Sequence, residues 1–65
     1  MTKTEALHAM IDGKKVTHRY FDSDEYIYMK GQNIWTEDGY CTGPVSSEFW
    51  ESKNSPWWLI EWKLF

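Results

Sequence analysis

The sequence predicts an α+β fold: a short N-terminal helix packed on a small antiparallel β-sheet of about four strands. Three features carry that reading. A helix start and a helix stop bracket residues 3 to 12. Short runs rich in β-branched and aromatic residues follow, divided by Gly and Asp turn clusters. The chain then closes on Trp57-Trp58-Leu59-Ile60-Glu61-Trp62-Lys63-Leu64-Phe65, which reads as a last strand.

The helix has its signals at both ends. Thr2-Lys3-Thr4-Glu5 is a capping box, in which the Thr2 hydroxyl takes the Glu5 amide and the Glu5 carboxylate reaches back. Ala6, Leu7, Met10 and Ile11 form an apolar stripe at helical spacing. Gly13 supplies the left-handed residue that ends a helix, and Lys14 and Lys15 sit at the negative end of its dipole. So short a helix needs a surface to dock on.

Residues 15 to 21 predict the first strand, with Val16, His18 and Tyr20 on one face and Thr17, Arg19 and Phe21 on the other. Asp22-Ser23-Asp24 is a turn. Residues 25 to 30 predict a second strand, Gly31-Gln32 a two-residue hairpin loop, and residues 33 to 36 a third strand. After the Glu37-Asp38-Gly39 turn, Tyr40-Cys41 extends the meander, and Thr42-Gly43-Pro44 reads as a break. Residues 46 to 50 suit one serine-capped helical turn, and Asn54-Ser55-Pro56 breaks the chain again. In the last strand Trp58, Ile60, Trp62 and Leu64 read as a core row. Trp57, Leu59, Glu61, Lys63 and Phe65 form a mixed outer row suited to another subunit.

Sixty-five residues make one domain, 1–65, with a marginal core at this size. Cys41 is the lone cysteine, so no disulfide closes within the chain, and a reducing compartment is expected. The twelve aromatic residues are more rings than so small a core hides, so some are expected at a ligand or partner. Net charge is −3. The basic residues cluster only at Lys14, Lys15, His18 and Arg19, so no direct DNA binding is expected. No apolar run is long enough to cross a membrane, and the first residues lack a hydrophobic signal core, so the expected place is the cytoplasm.

Few constellations suggest chemistry. His8, His18 and Cys41 lack zinc spacing. Asp22-Ser23-Asp24 lacks the Gly and the distal Glu of a calcium loop. There is no phosphate-binding glycine motif. Turn carboxylates are ordinarily solvated or cap backbone amides, and Cys41 has no base beside it in sequence. The expectation is therefore a binding protein without catalysis, metal or cofactor. The residue types suited to a nucleotide are Lys14, Lys15 and Arg19 for phosphate with Tyr20 and Phe21 for a base. Those suited to a protein partner are Phe49, Trp50, Trp57 and Trp58, read as hot-spot anchors. His8 is expected in solvent and His18 packed within its strand.

The run Glu5-Ala6-Leu7-His8-Ala9-Met10-Ile11-Asp12-Gly13-Lys14-Lys15-Val16 resembles the opening of a family of very small phage and prophage proteins. Tyr26-Ile27 and Glu61-Trp62-Lys63-Leu64 resemble that family's later strands. The family is similar to the Thoeris anti-defence sponges, which bind a cyclic ADP-ribose-type signal between the subunits of a homo-oligomer. In place of that family's tryptophan after the first strand stand Tyr20-Phe21. The resemblance implies a phage-encoded counter-defence protein of the host cytoplasm, a homo-oligomer that sequesters a nucleotide immune signal. The alternative is an inhibitor of the anti-CRISPR or anti-restriction type, which grips a host defence protein through its aromatics.

Overall fold

The computed structural model describes residues 1–65. Helix α1 spans Lys3–Ile11 and is followed by four strands: β1 Val16–His18, β2 Ile27–Lys30, β3 Asn33–Thr36 and β4 Cys41–Pro44. Two single-turn helices come next, α2 Glu48–Glu51 and α3 Pro56–Leu59, and strand β5 Trp62–Leu64 ends the chain. The sheet is antiparallel throughout, in the order β4-β3-β2-β1-β5. The α+β class holds, with five strands.

The caps of α1 form as the sequence dictates. The Glu5 amide donates to Thr2 Oγ1 at 3.1 Å, and the Thr2 amide donates to Glu5 Oε1 at 2.8 Å. At the other end the Gly13 amide bonds the Met10 carbonyl and the Lys14 amide the Ala9 carbonyl. These are the two bonds of a Schellman turn, and Gly13 takes the positive φ, 87°, that the turn requires. Of the predicted stripe, Ala6 and Met10 enter the core; Leu7 packs at its margin and Ile11 is exposed.

Register decides which residues meet the helix. Val16 stands opposite Ile27, Met29 opposite Ile34, and His18 opposite Trp62. Directly opposed residues share a face, so these side chains form the covered side. There Ala6, Met10, Val16, Ile27, Ile34, Trp50 and Trp62 make one apolar cluster. Trp50 joins α2 to the same core that α1 covers. Thr17, Tyr28, Lys30, Asn33, Trp35 and Lys63 therefore lie on the opposite side of the sheet. The β2–β3 hairpin turns through Gly31-Gln32, with positive φ only at Gly31, as a type II′ turn requires.

Several sequence expectations are corrected. β1 ends at His18, because the Phe21 amide turns back to the His18 carbonyl at 2.9 Å, and this swings Tyr20 off the Val16–His18 face into solvent. Thr42-Gly43-Pro44 lies within β4. An edge strand tolerates a proline, and a register irregularity stands opposite Ile34 and Trp35. The last nine residues are no continuous strand. Ser55 and Pro56 occupy the N-cap and first position of α3, a helix start that overrides the β propensity of the tryptophans. Glu61, at φ 72°, then redirects the chain into β5. The alternating core row is lost with it: Trp62 is buried, Trp58 half-buried, and Ile60 and Leu64 exposed.

Each sheet edge has a feature that discourages further pairing. The Trp62 amide donates to the Met1 carbonyl at 3.0 Å and the Met1 ammonium to the Trp62 carbonyl at 2.5 Å, which covers part of β5. Pro44 lacks the donor that a pairing strand would seek on β4.

Candidate functional site

Helix α3 is too short to persist alone, and its position is fixed by two buried rings. The His18 ring is 2% exposed and is packed 4.5 Å from the Trp58 ring and 4.8 Å from the Trp62 ring. Its Nε2 lies 2.8 Å from the Trp57 carbonyl and 2.8 Å from the Ile60 carbonyl. Its Nδ1 accepts the Tyr20 amide at 3.1 Å. Both carbonyls need a donor and the amide needs an acceptor, so this network assigns the ring proton to Nε2. Trp62 Nε1 donates to the Trp58 carbonyl at 2.7 Å. The carbonyls that a helix end leaves unpaired are thus satisfied by side chains from β1 and β5.

The consequence is a rigid backbone that displays apolar side chains. Trp57 is 52%, Leu59 44% and Ile60 53% exposed. The sequence predicts His18 packed within its strand and gives no sign of this role. Its partners lie 39 and 42 residues away, and no local pattern announces them.

The other expected anchors divide. Trp57 is displayed. Trp58 is half-buried against His18. Phe49 is half-buried with the Lys53 ammonium 3.8 Å from its ring centre. Trp50 is only 3% exposed, 5.3 Å from the Trp62 ring, and is a core residue of this fold rather than a surface anchor. Two ammoniums hold its helix from outside: Lys3 Nζ donates to the Trp50 carbonyl at 2.9 Å and Lys53 Nζ to the Phe49 carbonyl at 3.2 Å. Burial pushes both lysines below their ordinary pKa.

The expected nucleotide residues do not converge. Lys15 lies before β1 and Arg19 after it, about 13 Å apart along an extended chain. Arg19 makes the molecule's one ion pair, with Glu61 at 3.8 Å. Tyr20 is 61% exposed, whereas Phe21 turns inward, 5.7 Å from the Trp62 ring. Lys14 and Lys15 instead border a shallow depression of about 490 Å³ with Gly13, Leu64 and Phe65. A smaller cavity, about 250 Å³, is lined in part by Phe21, Glu25, Glu37, Asp38, Tyr40 and Phe49. Its carboxylates have the wrong sign for phosphate. The Thr36 hydroxyl, bonded to Asp38, holds that carboxyl below its usual range, so it stays ionised. No group of three His, Cys, Asp or Glu side chains is placed to hold a metal ion.

No helix is long and apolar enough to cross a membrane. Compared with family models, with curated proteins and with solved structures, the chain matches none. The functional reading therefore rests on the pinned, exposed Trp57–Ile60 segment and on the charges around it.

Proposed function

We propose that this protein acts by stoichiometric binding, and that it seats a protein partner on the Trp57–Ile60 segment. One observation carries the reading: two buried rings anchor a single-turn helix and its C-cap by their carbonyls, and this segment presents Trp57, Leu59 and Ile60 to solvent. A backbone held this way loses little further freedom on binding, which favours affinity. Tryptophan is the residue type most enriched among interface anchors. Taken with the phage-family resemblance of residues 5 to 16, the partner class is a host defence protein. The chain is then a counter-defence inhibitor working in the host cytoplasm.

The test is a titration of the captured, purified partner with the intact chain. Inhibition that saturates at one chain per partner and is lost in Trp57→Ser is expected. Inhibition at substoichiometric amounts, or inhibition indifferent to Trp57→Ser, would contradict the proposal.

A second reading, sequestration of a nucleotide signal, has its own support in the Lys14–Lys15–Phe65 depression. Two ammoniums beside an exposed ring suit a phosphate and a base. So open a site needs a second subunit to close it, which makes homo-oligomerisation part of this reading.

A further inference from the structure

The side of the sheet that carries no helix has a composition unlike the rest of the molecule. Register places Tyr28 directly opposite Trp35 and Thr17 opposite Lys63. Strand alternation adds Lys15, Tyr26 and Phe65 at the ends, and side-chain geometry agrees. The Tyr26 ring lies 4.5 Å from the Phe65 ring and 6.1 Å from the Tyr28 ring. The Lys15 ammonium stands 4.7 Å from the Tyr26 ring centre, and that of Lys30 5.4 Å from the Trp35 ring centre. A row of aromatics, Phe65, Tyr26, Tyr28 and Trp35, thus crosses four strands from β5 to β3, about 14 Å.

Lys15, Lys30 and Lys63 accompany that row, and none is in an ion pair, since the molecule's one pair joins Arg19 to Glu61. No strand residue on this face is acidic. The nearest carboxylates stand at the rim, where Glu37, one residue past β3, lines a cavity with Tyr26, Glu25 and Asp38. Counted along the sequence, these three lysines are dispersed over about fifty residues and form no cluster. The antiparallel register is what gathers them.

We infer that this face binds single-stranded nucleic acid, bases stacking on Tyr26, Tyr28, Trp35 and Phe65 while Lys15, Lys30 and Lys63 meet the phosphates. Charge complementarity selects this occupant. A second copy of the chain would bring lysine against lysine, and an apolar protein surface would leave three ammoniums without partners. Stacking accepts any base, because every base has a π-face. Paired bases in a duplex do not offer those faces, so single strands are selected over double strands.

The experiment is a fluorescence-anisotropy titration of the intact chain against labelled 12-mers of oligo-uridine and oligo-thymidine in 50 mM salt, with a duplex of the same length beside them. Micromolar binding to one or both single strands is expected, with weaker binding to the duplex. Three phosphate contacts predict a roughly 20-fold loss of affinity between 50 and 200 mM salt. Tyr28→Ala is expected to weaken binding about tenfold or more. The triple variant Lys15→Gln, Lys30→Gln, Lys63→Gln keeps the aromatic packing, is expected to flatten the salt dependence, and stands in if Tyr28→Ala unfolds. Trp57→Ser lies on the helical side and is expected to bind normally, which separates this face from the proposed protein-binding segment. No binding at 50 mM salt, equal affinity for the duplex, or binding unchanged in the triple variant would overturn the inference. So would lysine-dependent binding to anionic vesicles or to a poly-glutamate peptide in place of the oligonucleotides.

Discussion

His18 shows how much one side chain can organise. It satisfies two carbonyls of the α3 turn and one amide of the β1 turn. Removing it leaves three part-buried backbone groups without partners; a fully buried one costs about 1–3 kcal/mol, and less where water reaches it. His18→Leu keeps the volume and loses the bonds. It is expected to cost about 2–4 kcal/mol, a fall of ten degrees or more in Tm for a domain this small. A thermal melt followed by tryptophan fluorescence checks this. A shift under two degrees would remove His18 from the account.

Two exposed carboxylates make the acid response predictable in sign. The Thr2 amide and hydroxyl hold Glu5 below its ordinary pKa of 4.5, and the Thr36 hydroxyl holds Asp38 below its ordinary 3.8. A depressed carboxyl contributes fully above the unfolded value, and that contribution is lost as pH falls through the folded one. Glu5→Ala is therefore expected to melt below the parent at pH 6. The gap should narrow as pH is lowered past 4.5. A gap that stays constant down to pH 2 would mean that the ionised Glu5 carboxylate is not its source.

At the scale of elements, legibility follows range. Helix α1 is readable at both ends, because each signal is local: Thr2 and Glu5 bond each other across one turn, and Gly13 bonds back to Met10. The Gly31-Gln32 hairpin is readable for the same reason: the sequence predicts β3 to the residue and starts β2 two residues early, at Glu25 instead of Ile27. The last nine residues are not. Their β-rich composition pointed to a strand, while the signal that decided the outcome, Ser55-Pro56, read only as a break. What fixes α3 in place comes from β1, some forty residues earlier. The candidate site suffered likewise. Residue type alone points to Trp57 and equally to Trp50, and only packing against Trp62 separates a core ring from a displayed one.

That separation is measurable. Trp50→Ala removes a core tryptophan and is expected to cost about 3–5 kcal/mol, enough to unfold much of the population. Trp57→Ser, on the surface, is expected to stay within about 0.5 kcal/mol of the parent. Urea titrations of the two variants check the contrast. Equal midpoints would place both rings in the same environment, against the structure.

The two sides of the one sheet differ in composition across the whole molecule. The helical side carries the core and the pinned apolar segment. The open side carries aromatics and unpaired lysines, with Glu25, Glu37 and Asp38 together at its rim beside Tyr26. Sequence counts of charge and aromatics predicted that this chain binds something, but partition by face is a property of register and is invisible to composition.

The proposed binding of a protein at Trp57–Ile60 is tested most directly by native mass spectrometry of the chain isolated from cells with an active defence system. The account predicts a one-to-one complex with a host protein, absent when Trp57→Ser is isolated in the same way. A homo-oligomer bearing a nucleotide-sized adduct, or the bare chain alone, would contradict it.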